Sequence, residues 1–354
     1  MKDKIITITF LVYIFLFSIL GIIIKDKEVS FEERRKLEEF PSFTLDNTYV
    51  TKVDKYFLDH FPFRSDFRSI KANYNYNILN MSDNNGIYLK DNYIFKSDYK
   101  INENSINNFI NKTKKIQNLL TVDNKTYLMI VPDKNYYLKD KNFLKLDYDY
   151  LYNSLDTLNM TNIDIRNILS LEDYYETDTH FKQEKLDKVI FEMSKVMDFN
   201  YQNIYYNKHC YDKFYGVYYS ESALKRKPET ICYLTNNIID NAYVDYLENK
   251  DLHNIYNINK LNSFDLYEVY LDGASSFIEI YNYNNKEKKE LVIFRDSFGS
   301  SLTPLLINYY SKITVIDNRY INSDNFLNYI EFSNQDVLFM YSTLIINSSG
   351  SLKG

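Results

Sequence analysis

The sequence predicts an α/β fold: a parallel sheet flanked by helices, with a β-rich insertion and one membrane-spanning helix at the N-terminus. Three observations predict it. Residues 291–294 (Leu-Val-Ile-Phe) form an unbroken apolar run, the signature of a strand buried on both faces of a parallel sheet. Such runs alternate with stripes at helical spacing, as in Leu302, Leu305, Leu306 and Tyr309 ahead of the run 313–316. Residues 5–24, opening on Ile5 and closing on Ile24, carry no charge at all.

At about 1.5 Å per residue, twenty helical residues span a hydrocarbon core of about 30 Å. Lysines flank both ends (Lys2, Lys4, Lys25, Lys27), and no small-residue cleavage site follows Gly21. That favours an uncleaved signal-anchor over a cleaved signal peptide. The expected topology leaves a short cytoplasmic N-terminus and an extracytoplasmic domain in the cell membrane, residues 1–27 forming the anchor. Residues 28–100 read as a stalk followed by helices around 53–60 and 65–79, with a hairpin at 87–95 announced by Asn84-Asn85-Gly86.

The core unit is expected over 101–198 and 285–354. A helix at 104–120 leads to a strand at 127–131, a helix near 152–158, a short strand at 163–165 and an amphipathic helix at 181–197. The strand at 291–294, a helix at 299–310, strands at 313–316 and 336–341 and a helical piece at 323–330 complete it. Residues 199–284 read as a β-rich insertion, with strand-like runs at 216–219, 230–233, 269–271 and 277–281. Cys210 and Cys232 are the chain's two cysteines; one bridge between them and two free thiols both fit the count.

A net charge of −6 without a long basic run excludes nucleic acid as a partner. No phosphate-loop, dinucleotide or zinc-protease motif is present, so neither metal nor cofactor is expected. What remains is a nucleophile pattern. Asp296-Ser297 sits where a central strand turns into a helix, the end of an α/β sheet at which ligands bind. Taken alone it also fits a helix cap. Upstream, Asp178-Thr179-His180 precedes a helix, and Asp178 by itself again fits a cap. Together they supply a serine, an imidazole able to take its proton and a carboxylate to fix the tautomer, with the Ser297 N–H as oxyanion donor. His60, beside Asp59, is expected to be structural; His209 and His253 lack a telling acidic neighbour.

The segments Asp59-His60-Phe61-Pro62-Phe63-Arg64, Tyr175-Glu176-Thr177-Asp178-Thr179-His180-Phe181 and Asp296-Ser297-Phe298-Gly299, with 315–320 and 336–343, resemble the DHHW family of Gram-positive bacteria. That family is similar to the AlgX/AlgJ-type alginate O-acetyltransferases, which have an SGNH-hydrolase-like fold. The resemblance runs over most of residues 30–346. It implies an extracytoplasmic O-acetyltransferase acting on an exported polysaccharide through an acetyl-serine, supplied by a membrane-bound O-acyltransferase. An acetylesterase and a non-catalytic glycan-binding subunit are the alternatives. It also implies Ser297, His180 and Asp178 as catalytic residues. Two departures stand out: the name-giving motif reads Asp-Thr-His-Phe here, and Arg295 replaces a small residue before Asp-Ser. Arg295 is read either as a substrate ligand or as the partner of an acid. Lys134, Arg319, Tyr320 and Tyr341 follow strand ends and either line the cleft or pack.

Overall fold

A computed structural model describes residues 2–81, 83–140 and 142–353. The chain divides into two compact units, one of residues 1–85 with 219–226, the other of 86–218 with 227–354. Residues 86–100, expected with the stalk, therefore belong to the second unit.

That second unit is built on a seven-stranded sheet. Its strands are β1 (Lys125–Val131), β2 (Thr161–Asn162), β3 (Tyr243–Tyr246), β4 (Phe277–Tyr281), β5 (Glu290–Arg295), β6 (Lys312–Ile316) and β7 (Asp336–Ser342). The spatial order is β3-β4-β6-β5-β7-β1-β2. The five strands from β6 to β2 run parallel, while β4 joins β6 and β3 joins β4 in antiparallel pairing. Strand β5 lies between β6 and β7, with Leu291 opposite both Ile313 and Asp336.

Helices cover both faces, as a parallel sheet requires. Leu291 and Ile293 join one apolar core with helices α2 (Asp187–Met197) and α3 (Phe298–Leu306), through Val189, Ile190, Met193, Leu302 and Leu305. Val292 and Phe294 point the other way, into a second core with helix α1 (Glu103–Gln117) through Ile106, Phe109 and Ile110. The period of two along β5 thus feeds two cores, which explains why all four residues are apolar.

Several sequence expectations change. The stretch 199–284 is not purely an insertion, because β3 and β4 extend the main sheet, while a hairpin of Asn207–Phe214 with Glu229–Thr235 pairs separately from it. The strand expected at 216–219 is instead the start of a helix at 217–222, and the one expected at 269–271 is reduced to a bridge between Tyr270 and Tyr256 that follows a 3-10 turn at 266–269. Tyrosine-rich alternation misled here: side chains that pack on two sides of an irregular loop mimic a strand's period. The helix expected from 181 begins only at Asp187, because 174 and 181 form an antiparallel bridge that holds the preceding turn. The hydrophobic stripe carried no information about that long-range bridge.

In the first unit, Lys2–Ile23 is one helix, and Asn47–Asp59 and Arg64–Asn73 follow, the last continued by a wider turn to Ile78. Asp46 caps the second of these through the N–H groups of Thr48 and Tyr49. Asp59 accepts from Arg35 at 2.8 Å, and His60 meets the Tyr56 and Lys27 carbonyl oxygens at 3.0 and 3.2 Å. His60 is thus structural, as expected.

Candidate active site

Strand β5 ends at Arg295, and the next two residues make the turn into α3. Asp296 does the capping. Its Oδ1 accepts the Phe298 N–H at 3.0 Å, and its Oδ2 accepts the Ser342 N–H at 2.8 Å from the end of β7. Ser297, at the formal cap position, makes no capping bond with its side chain. Relieved of that task, its Oγ lies 2.8 Å from His180 Nε2. Among the described residues its N–H has no recorded acceptor, so it is available to an oxyanion at the positive end of α3.

On the other side of the ring, His180 Nδ1 is 2.6 Å from Asp178 Oδ1. Asp178 is fully buried and His180 is 9 % exposed. The same Oδ1 accepts the His180 N–H at 3.0 Å, so the i, i+2 spacing lets one carboxylate oxygen hold both the backbone and the ring. Oδ2 accepts the Val217 N–H at 2.8 Å. With Nδ1 facing the carboxylate as a donor, Nε2 is left as the acceptor for the serine proton.

The loop 175–178 that carries Asp178 is clamped from three directions. Lys134 Nζ donates to the carbonyl oxygens of Tyr175 (3.0 Å), Glu176 (3.0 Å) and Asp178 (2.7 Å). The Glu229 carboxylate accepts the N–H groups of Glu176 and Thr177, both at 2.7 Å, and the Thr177 hydroxyl at 2.5 Å. Gly216 packs so tightly that a Cβ there would lie 2.2 Å from the Thr177 carbonyl oxygen. Burial pushes the Lys134 ammonium down to about 7, opposed by the charges of Asp178, Glu229, Glu176 and Asp133.

Tyr267 lies flat against His180, ring centroids 3.8 Å apart and planes 11° from parallel, and its hydroxyl is within hydrogen-bond distance of Ser301 Oγ (3.0 Å) and the Ser297 carbonyl oxygen (3.3 Å). Burial raises its phenol well above the usual range, with the Ser301 hydrogen bond opposing, so it stays a neutral donor. Phe181 packs edge-on against Phe298 at 5.0 Å. The residue at the tryptophan position of the family motif therefore contributes packing here.

The structure brings Ser297, His180 and Asp178 together, and the other sequence candidates have contacts of their own. Lys134 is 1 % exposed and turned onto the loop backbone, so it braces rather than lines a cleft. Of the two roles left open for Arg295, the structure takes the acid partner: its buried guanidinium meets Asp317 Oδ2 at 3.3 Å. Arg319 binds the same carboxylate through Nε at 2.9 Å and a terminal nitrogen at 2.6 Å. Tyr341 is 1 % exposed and donates to Asn318 Oδ1 at 2.8 Å, while Tyr320 is open to solvent. Lys134, Arg319 and Tyr320 do follow strand ends, whereas Tyr341 lies inside β7, and how far each is buried depends on packing that the sequence does not display. Conversely, Tyr267, Glu229 and Gly216 escaped sequence reasoning because no motif links them to Ser297. The sole signal was Gly216 itself, one of seven glycines in 354 residues. Among the described residues no cluster of three His, Cys, Asp or Glu side chains could hold a metal ion.

The protein superposes on a DHHW family protein from Eubacterium siraeum with a TM-score of 0.62 at 19 % identity, covering 77 % of this chain and 97 % of that one. The fold is shared with a DHHW family protein. Bacillus cereus PatB1, solved with a sulfonyl adduct, matches with a TM-score of 0.59 at 18 % identity over 73 % of this chain and 97 % of that one. A more distant likeness reaches the O-acetyltransferase domain of Pseudomonas putida AlgJ, at TM-score 0.41, 12 % identity and 74 and 92 % coverage. No family model matches the chain, and no curated protein matches it in sequence.

Proposed function

We propose that this protein is a membrane-anchored, extracytoplasmic O-acetyltransferase that transfers acetyl groups to hydroxyls of a cell-surface polysaccharide. The observation that supports it most is the continuous hydrogen-bonded series from Ser297 Oγ through the His180 ring to Asp178. In this reading Ser297 Oγ attacks the acetyl carbonyl carbon as His180 Nε2 takes its proton. The Ser297 N–H receives the oxyanion, and the donor's leaving oxygen departs with the proton from His180. A sugar hydroxyl then attacks the acetyl-serine, gives its proton to His180, and leaves as the ester while Ser297 regains its hydrogen. Asp178 holds the ring and balances its transient positive charge. A membrane-bound O-acyltransferase is the proposed acetyl donor, and the apolar helix Lys2–Ile23 the proposed anchor. The named residues need no metal or cofactor to perform these steps.

The test is Ser297→Ala in the full-length chain, read by turnover of p-nitrophenyl acetate and by acetyl content of the surface polymer. Turnover is expected to fall on the order of 10⁶-fold, and the polymer to lose its acetyl esters. A polymer with more acetyl than in the parent strain would replace transfer by hydrolysis. Unchanged acetylation together with unchanged turnover would leave a binding role.

A further inference from the structure

The helix Arg64–Asn73 is amphipathic in the wrong sense for a protein surrounded by water. Its small residues face inward: Ser69 and Ala72 are buried, at 7 % and 0 % exposure. Large apolar residues face outward: Phe67 and Ile70 in the helix and Tyr74 just after it are 41, 63 and 48 % exposed. At about 100° per residue these three share an arc of about 60°, and Ser69 and Ala72 lie opposite. Phe63 just ahead of the helix and Ile78 just after it are also open, at 54 and 64 %. Single exposed apolar side chains are ordinary, but a continuous stripe calls for something to cover it.

What covers it is indicated by the neighbouring anchor helix. Phe17 stacks on Phe61 at 5.3 Å and sits 5.8 Å from Phe67. Phe17 lies six residues before the end of the helix at Ile23, which is about 9 Å of helix rise. Rings packed at that level sit below the headgroups of any bilayer that Lys2–Ile23 spans. An interfacial helix buries its apolar face to about 5–10 Å, so the two depths agree. Exposed Lys71 lies about 40° from Phe67, at the edge of the stripe and not within it. Lys25 and Lys27 follow the span, and Arg64 and Arg68 are tied to Glu33 instead of entering the stripe.

We propose that the stripe of Phe63, Phe67, Ile70, Tyr74 and Ile78 is a membrane-docking surface that lies in the outer leaflet beside the anchor. The lipid acyl chains are the occupant, and the helix holds the first unit flat on the bilayer surface. This rests on the anchor reading of Lys2–Ile23.

The test uses the full-length chain in mixed phosphatidylcholine–phosphatidylglycerol vesicles, carrying one environment-sensitive thiol probe per variant. The two natural cysteines are bonded to each other and do not compete for the label. Probes at Phe67→Cys, Ile70→Cys and Tyr74→Cys should shift to the blue, lose emission to nitroxide on the lipid chains and resist aqueous iodide. A probe at Val122→Cys, fully exposed in the second unit, should respond to iodide alone. A probe at Val12→Cys reports on the anchor separately. If residue 12 is in lipid while 67, 70 and 74 answer to iodide, the docking surface is overturned and the anchor stands. If residue 12 is also in water, the anchor reading fails first. Stripe probes shielded from both quenchers would mean a protein partner or a second copy, which also overturns lipid docking.

Discussion

At the scale of single residues, the site depends on how Asp296, Ser297 and Tyr267 share their work. Because Asp296 caps α3, the Ser297 hydroxyl is free for His180, and Tyr267 stacks on one face of the imidazole. Tyr267→Phe keeps the stacked ring and removes the hydroxyl's bonds to Ser301 and Ser297. It should lower the melting temperature modestly, at a cost of about 1 kcal/mol, and retain most p-nitrophenyl acetate turnover. Tyr267→Ala opens a cavity beside His180 and should cost about 3–5 kcal/mol in denaturant unfolding, with turnover falling further than stability explains. Equal turnover in the two variants would show that the stacking does not orient the ring. Lys134 supplies a pH signature. Unfolded, it holds its proton to about 10.4; folded, only to about 7. Between those values the unfolded chain binds more protons, so this group makes stability rise with pH through that window and is at its least favourable below 7. Thermal melts of the parent protein against Lys134→Met at pH 6, 8 and 10 should show the parent gaining relative to the variant as pH increases. A constant difference would mean that the three carbonyl contacts keep the ammonium charged throughout.

At the scale of elements, the loop holding Asp178 is positioned by a segment far along the chain. Residues 210 and 232 face each other across the hairpin and form a disulfide, closing a 22-residue separation that contains Gly216 and Val217. Loop closure of that size is worth about 3 kcal/mol. The expectation is a lower melting temperature under reductant, with turnover falling in parallel as the Val217–Asp178 bond loosens. Gly216→Ala tests the same clamp without chemistry. Its added Cβ would meet backbone at 2.2 Å, so the segment must move away from Thr177. Turnover should drop on the order of 10-fold or more, as an angstrom's displacement near a reacting centre commonly costs more than that. Full turnover in Gly216→Ala would show that the carboxylate is held adequately by its own loop. The resemblance to known families pointed to the two halves of the site, and none of this bracing was in it.

At the scale of the whole molecule, the chain combines a sheet-based unit with a first unit carrying a long apolar helix. If Lys2–Ile23 anchors the protein as proposed, the full-length chain should stay with membranes through alkaline carbonate extraction. Protease added outside intact, wall-stripped cells should digest the second unit. Release by carbonate would point to a cleaved leader, and protection from protease to the opposite orientation.

The sequence by itself determined the α/β class, the order of the buried strands, the apolar helix and the residues that meet at the site. Those features are written in local periodicity and in short motifs, which act over a few residues of chain. Only the tertiary structure decided that β3 and β4 extend the main sheet, that Lys134 and Arg295 are framework cations, and that Tyr267, Glu229 and Gly216 hold the histidine loop. Each of these depends on contacts between segments many residues apart, where burial and the need to satisfy every polar group choose the partner. No local pattern carries that information.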